Sequence, residues 1–177
     1  SWLENQVTLP TVQAKEAGKF VFAVDTKATN LYGPVEAYAY VVVDGKKELS
    51  ETYKLTIKAN IVEDFSSMTV EQKQQSPMLE TKSVVDLGTI AAGKHLKGQI
   101  KVKNIGVNPL HIRRAYSADK QIVLKPCKAV KSGRTGTIQV DVNTQGRNPG
   151  KYSREVVIIS NDYEHSIQKV TLMWTIQ

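Results

Sequence analysis

The sequence predicts an all-β fold built as two sandwich modules in tandem, the first incomplete at its N-terminus. Three observations predict it: apolar residues alternate with polar ones, turn dipeptides separate those stretches, and the chain weakly repeats itself. A half-buried strand points successive side chains to opposite faces, so alternation at a period of two is a strand pattern.

In chain order, residues 37–43 form a short continuous apolar run, as expected of a strand covered on both faces or at its ends. Over 53–61, Tyr53, Leu55, Ile57, Ala59 and Ile61 alternate with Lys54, Thr56, Lys58 and Asn60. Residues 68–75 are the only stretch that could be helical, and it is short and polar. Over 95–104, Leu96, Gly98, Ile100 and Val102 oppose Lys97, Gln99, Lys101 and Lys103. Ile138, Val140 and Val142 alternate with Thr137, Gln139 and Asp141, and residues 156–159 are again continuously apolar. The last strand sets Val170, Leu172, Trp174 and Ile176 against Lys169, Thr171, Met173 and Thr175. Turns fall at Asp44-Gly45, Gly93-Lys94, Asn108-Pro109, Ser132-Gly133, Pro149-Gly150 and Asn161-Asp162.

The repeat places residues 18–27 on 136–145 and residues 53–61 on 168–176. Identities are few, but inward positions match apolar for apolar, as in Phe20 with Ile138, Phe22 with Val140 and Ile57 with Leu172. Ser1 aligns with Ser117, so the first module has no counterpart of residues 84–116, about three strands. The expected division is a partial module over 1–64, a linker over 65–82 and a complete module over 83–177. A module lacking strands has an open edge. Either the chain is a fragment of a longer protein, the reading preferred here, or the edge pairs with another chain, or the second module covers it.

Charge is divided as the modules are. The chain of 177 residues carries a net +7, but residues 1–80 hold 8 Lys against 11 Asp and Glu, a balance of −3. Residues 81–177 hold 11 Lys and 5 Arg against 6 acids, a balance of +10. Such asymmetry fits two units with different surfaces and permits an anionic partner for the second. No apolar run approaches the roughly 20 residues of a membrane-spanning helix. Residues 1–10 carry Glu4 and lack a basic start and an apolar stretch, so no signal peptide is visible. The single cysteine, Cys127, excludes an internal disulfide and a multi-cysteine metal site.

The second module carries a more particular pattern: Val85, Leu87, Gly88, Ile90 and Gly93, then Asn104, Ile105 and Gly106, then Pro109, Leu110 and Ile112. Gly133, Pro149, Gly150 and the run from Val157 to Asn161 follow. This series resembles a bacterial family of Hydin-type (ASH) immunoglobulin-like domains, related to major sperm protein and PapD-like sandwiches. The resemblance covers residues 84–177 well and 1–62 as a partial copy, and it implies an exported or periplasmic setting. Its signature residues have scaffold reasons: Gly88 and Gly93 suit tight turns with positive φ. Asn104 to Pro109 reads as a hairpin connection, and Asn161 is placed to bond neighbouring backbone. Relatives often carry two cysteines flanking one residue after the third strand, where this chain has Ser117, Ala118 and Asp119.

No catalytic set is legible. His95, His111 and His165 stand apart from metal-ligand spacings, and Cys127 has no candidate base. No phosphate-binding glycine loop or calcium loop occurs, so no cofactor or metal is expected. The feature with functional reach is basic. Lys97, Lys101 and Lys103 share a strand face, Arg113 and Arg114 follow on the next strand, and Lys125, Lys128, Lys131 and Arg134 surround the following loop. The candidate anion-binding surface is Lys97, Lys101, Lys103, Arg113, Arg114, Lys128, Lys131 and Arg134. Nucleic-acid sheets interleave aromatics for base stacking, and the basic strand has none, which argues against a nucleic-acid partner.

The expected function is a non-catalytic protein-interaction or scaffold module of a bacterial exported protein, binding through strand edges or loops. The expected partner is a protein, or another copy of the chain at an open sheet edge. The alternative is a carbohydrate- or polyanion-binding module of a cell-envelope protein. That alternative predicts Trp2, Tyr116, Tyr152, Tyr163 or Trp174 clustered on an exposed face, and an enzyme predicts two carboxylates converging in a deep pocket.

Overall fold

The computed structural model describes residues 31–41 and 51–177. Readings that fall on 1–30 and 42–50 lie outside the described residues: Trp2, the repeat partners Ser1, Phe20 and Phe22, the Asp44-Gly45 turn and the end of the 37–43 run. The chain divides into two compact units, Ser1–Val62 and Glu63–Gln177. In the first, β1 (Gly33–Tyr40) and β2 (Lys54–Ile61) pair antiparallel, from Gly33 opposite Ile61 to Tyr40 opposite Lys54.

The second unit opens with α1 (Val70–Gln74), a single turn that Thr69 caps. The Thr69 hydroxyl accepts from the Gln72 N–H while the Gln72 side chain accepts from the Thr69 N–H, which satisfies two orphan donors reciprocally. Eight strands follow: β3 (Leu79–Thr81), β4 (Val84–Ile90), β5 (His95–Asn104), β6 (Ile112–Ser117), β7 (Ile122–Lys125), β8 (Thr135–Asn143), β9 (Gly150–Ser160) and β10 (Ile167–Ile176). They form two four-stranded sheets, β4-β10-β9-β6 and β3-β5-β8-β7. All pairings are antiparallel except that of β4 with β10.

The apolar phase of each alternating stretch meets between these sheets. Ile100, Val102, Ile138 and Val142 from one sheet and Val156, Ile158, Val170, Leu172, Trp174 and Ile176 from the other are buried in one cluster. Each such aliphatic side chain contributes about 1.5–3 kcal/mol on leaving water. Cys127 packs against the same cluster, and burial pushes its thiol pKa up, which suits a small apolar residue.

Four expectations need correction. Residues 65–82 are not a linker: they contain α1 and β3, and β3 pairs with β5 while Leu79 is buried in the core. Residues 104–109 are not a hairpin connection, because β5 and β6 lie in different sheets and the segment crosses between them. Gly88 has the expected positive φ of 85°, but it lies within β4 rather than at a turn. It sits where the β4–β10 register shifts between Asp86 and Thr89, a bulge pinned by the Asp86 carboxylate accepting from the Gly88 N–H. Asn161 bonds distant backbone instead of its neighbours, accepting from the His111 N–H and donating to the Pro109 carbonyl.

The crossover is built around Asn104, which is fully buried. Its Oδ1 accepts from the N–H groups of Met78 and Gly106, and its Nδ2 donates to the carbonyls of Asn108 and Val130. Gly106 packs directly on the 76–78 backbone, where an added Cβ would meet the Ser76 carbonyl oxygen, the Met78 nitrogen and the Pro77 carbonyl carbon. Gly106→Ala is therefore expected to lower stability by about 1–3 kcal/mol, since backbone must move. At Gly98 the obstacle is Leu87 Cδ2, the end of a side chain that can rotate, so Gly98→Ala is expected to cost less. Urea midpoints of the two variants, compared with the parent, check the order.

Candidate binding groove

The polar phase of β5, β8 and β7 makes the outer face of one sheet, and strand register decides what stands beside what. Lys97 on β5 and Val123 on β7 both pair with Asp141 on β8; Gln99 and Lys125 both pair with Gln139. One step along, His95 pairs with Asn143, whose N–H donates to the Gln121 carbonyl. Because alternate residues share a face, Lys97, Gln139, Asp141, Val123 and Lys125 come out together. The face is concave here, with a cavity of about 480 Å³ that His95, Asn143, Gln121 and Lys120 also line.

The groove has lysines on its banks and, along its middle strand, the amides of Gln139 and Asn143 with the Asp141 carboxylate between them. Lys97, Lys120 and Lys125 are exposed and have no ion-pair partner among the described residues. Asp141 is the carboxylate among the described lining residues, and its Oδ1 lies 2.7 Å from His95 Nδ1. With Asp141 ionised, His95 donates from Nδ1, so part of this charge is already satisfied. Val123 is 54% exposed and supplies an apolar spot between the lysines.

The expected anion-binding residues do not all meet. Lys97, Lys101 and Lys103 line the outer face of β5, with Lys97 in the groove. Lys103 lies beyond it, 3.5 Å from Glu80 on β3. Lys128, Lys131 and Arg134 are exposed on the β7–β8 connection, which bonds to the end of β5 through Asn104 N–H to Arg134 O and Gly133 N–H to Asn104 O. Arg113 and Arg114 belong elsewhere, because β6 joins the opposite sheet. Arg113 forks onto Glu63 through Nε at 3.0 Å and Nη2 at 2.7 Å, and the Arg114 guanidinium stacks on Tyr116 at 4.8 Å. The sequence reading missed Lys120, Gln121 and Val123 as site residues and took His95 and Asp141 singly. Laying 95–104 against 136–142 in antiparallel register would have brought that pair together.

Trp174 and Tyr152 are placed otherwise than a sugar platform requires. Trp174 is 2% exposed and Tyr152 stacks on it, ring centroids 5.5 Å apart and 10° from parallel. The Arg147 guanidinium lies over both rings, and its Nη2 donates to Asp119 Oδ2 at 2.6 Å. Arg154 Nε donates to the same oxygen at 3.0 Å. Burial pushes the Asp119 carboxyl up, but Arg147, the Gln121 N–H and Arg154 outweigh that and hold its pKa below the usual value. The cluster ties the β6–β7 turn to the β8–β9 turn.

Among the described residues no three His, Cys, Asp or Glu side chains gather as metal ligands. No helix among them is long and apolar enough to cross a membrane.

Comparison with known proteins bears on the fold. A family model described as HYDIN/CFA65/VesB-like, Ig-like domain matches residues 77–173, more than half of the chain. No curated protein matches. Among solved structures, a protein of unknown function from Porphyromonas gingivalis W83 superposes with a TM-score of 0.62 at 17% identity, covering 87% of this chain and 70% of that one. The ASH/PapD-like domain 7 of human CEP192 gives 0.42 at 11% identity, covering 67% of this chain and 95% of that one. Vibrio cholerae VesB protease gives 0.43 at 13% identity, covering 56% and 31%.

Proposed function

This chain belongs to the HYDIN/CFA65/VesB-like Ig-like domain family, and from that premise we propose that it is a non-catalytic interaction module of a bacterial exported protein. It binds a protein partner through the exposed surface of the second unit, chiefly the outer face of β5, β8 and β7. The observation that carries this reading is the lysine-banked groove, a concave surface whose cations have no partners among the described residues. Its described lining offers amides, lysines and a single carboxylate, with no serine or cysteine beside His95 to act as a nucleophile. Edges add to it: β7 ends its sheet, and antiparallel alternation turns the Leu124 N–H and C=O away from β8. The tandem arrangement, with a partial module over 1–64, and the export of the parent protein rest on the resemblance in the motifs.

A second reading, a polyanion- or carbohydrate-binding module, is favoured by the same lysines and by the amides of Gln121, Gln139 and Asn143.

Both readings place binding on one face, and an amide-resolved titration tests that. Adding dextran sulfate to the isotope-labelled chain is expected to move the signals of His95, Lys97, Val123, Lys125 and Asp141 together. Shifts spread evenly over the exposed lysines, Lys151 and Lys169 included, would show general charge attraction and no built site.

A further inference from the structure

We infer that the groove of β5, β8 and β7 takes an extended acidic segment of the partner protein, its carboxylates meeting Lys97, Lys120 and Lys125 and an aliphatic side chain resting on Val123. This rests on the interaction-module reading and names what that module recognises.

Size comes first. A cavity of about 480 Å³ is at the lower end of the range that holds a small-molecule ligand, so it seats a few extended residues of a longer chain. Spacing is the second argument. Lys97 and Lys125 stand on strands two apart in the sheet and two residues out of register, so about 12 Å separates them at the backbone. An extended peptide repeats side chains on one face about every 7 Å. Carboxylates four positions apart on that face, about 14 Å, therefore reach cations on both banks once the flexible lysine stems adjust. The side chain midway between them, on the same face, falls between the banks within reach of Val123 on β7.

Electrostatics point the same way. Three lysines without an ion-pair partner among the described residues face one carboxylate, and His95 already engages that carboxylate at 2.7 Å. The groove is therefore complementary to negative charge and repels a basic segment. Its polar lining separates a peptide from an acidic sugar. Amides of Gln121 and Gln139 can each donate to and accept from a peptide group. Sugar rings are gripped by stacking on the faces of Trp, Tyr and Phe, and the described lining has none of the three; its one ring, the His95 imidazole, is engaged by Asp141.

The test uses the full chain and a fluorescein-labelled peptide with aspartate at every fourth position, valine midway between aspartates and serine elsewhere, followed by anisotropy at physiological salt. Saturable binding is expected, and the same peptide with lysine for aspartate should not bind. Lys97→Glu combined with Lys125→Glu should weaken binding about tenfold or more, the effect of losing roughly 1.4 kcal/mol. Lys101→Glu combined with Lys103→Glu keeps the same charge change outside the groove and should stay within about twofold. These positions are exposed, so matching melting curves will show that the variants fold. Equal weakening by both double variants, or no binding of the aspartate peptide, overturns the inference. If oligogalacturonate binds through Lys97 and Lys125 while the peptide does not, the inference falls and the groove remains a site for a saccharide. If neither probe binds and dextran sulfate moves no localised set of signals, the interaction reading itself falls.

Discussion

Replacing Asn104 with alanine is expected to lower the stability of the second unit by about 3–5 kcal/mol. Its side chain is fully buried and makes four hydrogen bonds, two as acceptor and two as donor. Alanine removes all of them, leaving the Gly106 N–H without a partner in the interior and the part-buried Met78 N–H and Asn108 carbonyl without theirs. The Val130 carbonyl keeps the Leu110 N–H at 2.9 Å, so one loss is cushioned. A buried group left unsatisfied costs about 1–3 kcal/mol, far more than the net worth of an average hydrogen bond. Equilibrium urea unfolding of the variant and parent measures the difference; a loss below about 1 kcal/mol would mean that water replaces the amide. The variant should also loosen β3, because Met78 leads directly into it. Amide exchange at Leu79 and Thr81 is expected to quicken more than at Val140.

Asp119→Ala is expected to cost a similar amount, about 3–5 kcal/mol, for a different reason. Arg147 is a nearly enclosed cation, its side chain 9% exposed, lying on Tyr152 and Trp174 with Asp119 as its counter-charge. Removing the carboxylate strands that charge in low dielectric, where neither ring can neutralise it. The same pair makes stability fall in acid. The folded pKa of Asp119 is depressed, so the stability it contributes is full above the unfolded value of about 3.9 and is lost as pH falls toward the folded pKa. Thermal melts from neutral pH to below pH 4 should show the parent losing this increment while Asp119→Asn, which lacks the titrating group, shows a shallower fall. Parallel curves for the two proteins would count against the ion pair as the source.

The strand framework was legible because burial writes itself into the sequence at a period of two. The inward residues of β10, from Val170 to Ile176, and of β8, from Ile138 to Val142, are those that the alternation picks out. What escaped has physical reasons. β3 has three residues, too few to display a period, and its identity as a strand depends on partners in β5. Turn chemistry at Asn104, Gly106 and Pro109 announces that the chain bends but not whether it returns to the same sheet. That is why a crossover was expected to be a hairpin, and why Arg113 and Arg114 were grouped with the lysines of β5. The groove escaped because no local stretch contains it. Residues from 95 to 143 are assembled by the register of three strands, and Asp119 meets Arg147 across two turns.

The parallel pairing of β4 with β10 gives this unit a particular response to tension. Val84 to Ile90 lies beside Thr171 to Ile176 with both strands running the same way, and bonds from Thr171 N–H to Ser83 O and from Gln177 N–H to Ile90 O close the two ends. A pull applied before β4 and after β10 therefore acts along the strands in opposite directions. The ladder is loaded in shear, all rungs at once, instead of being opened one rung at a time as at a hairpin end. Upstream of β4, the three-residue β3, antiparallel to β5, and the 75–78 segment that bonds residues 105–108 can peel away first. Force resistance depends on the rate of unfolding rather than on equilibrium stability, so a unit of modest stability can still act as a stiff link in a chain under load.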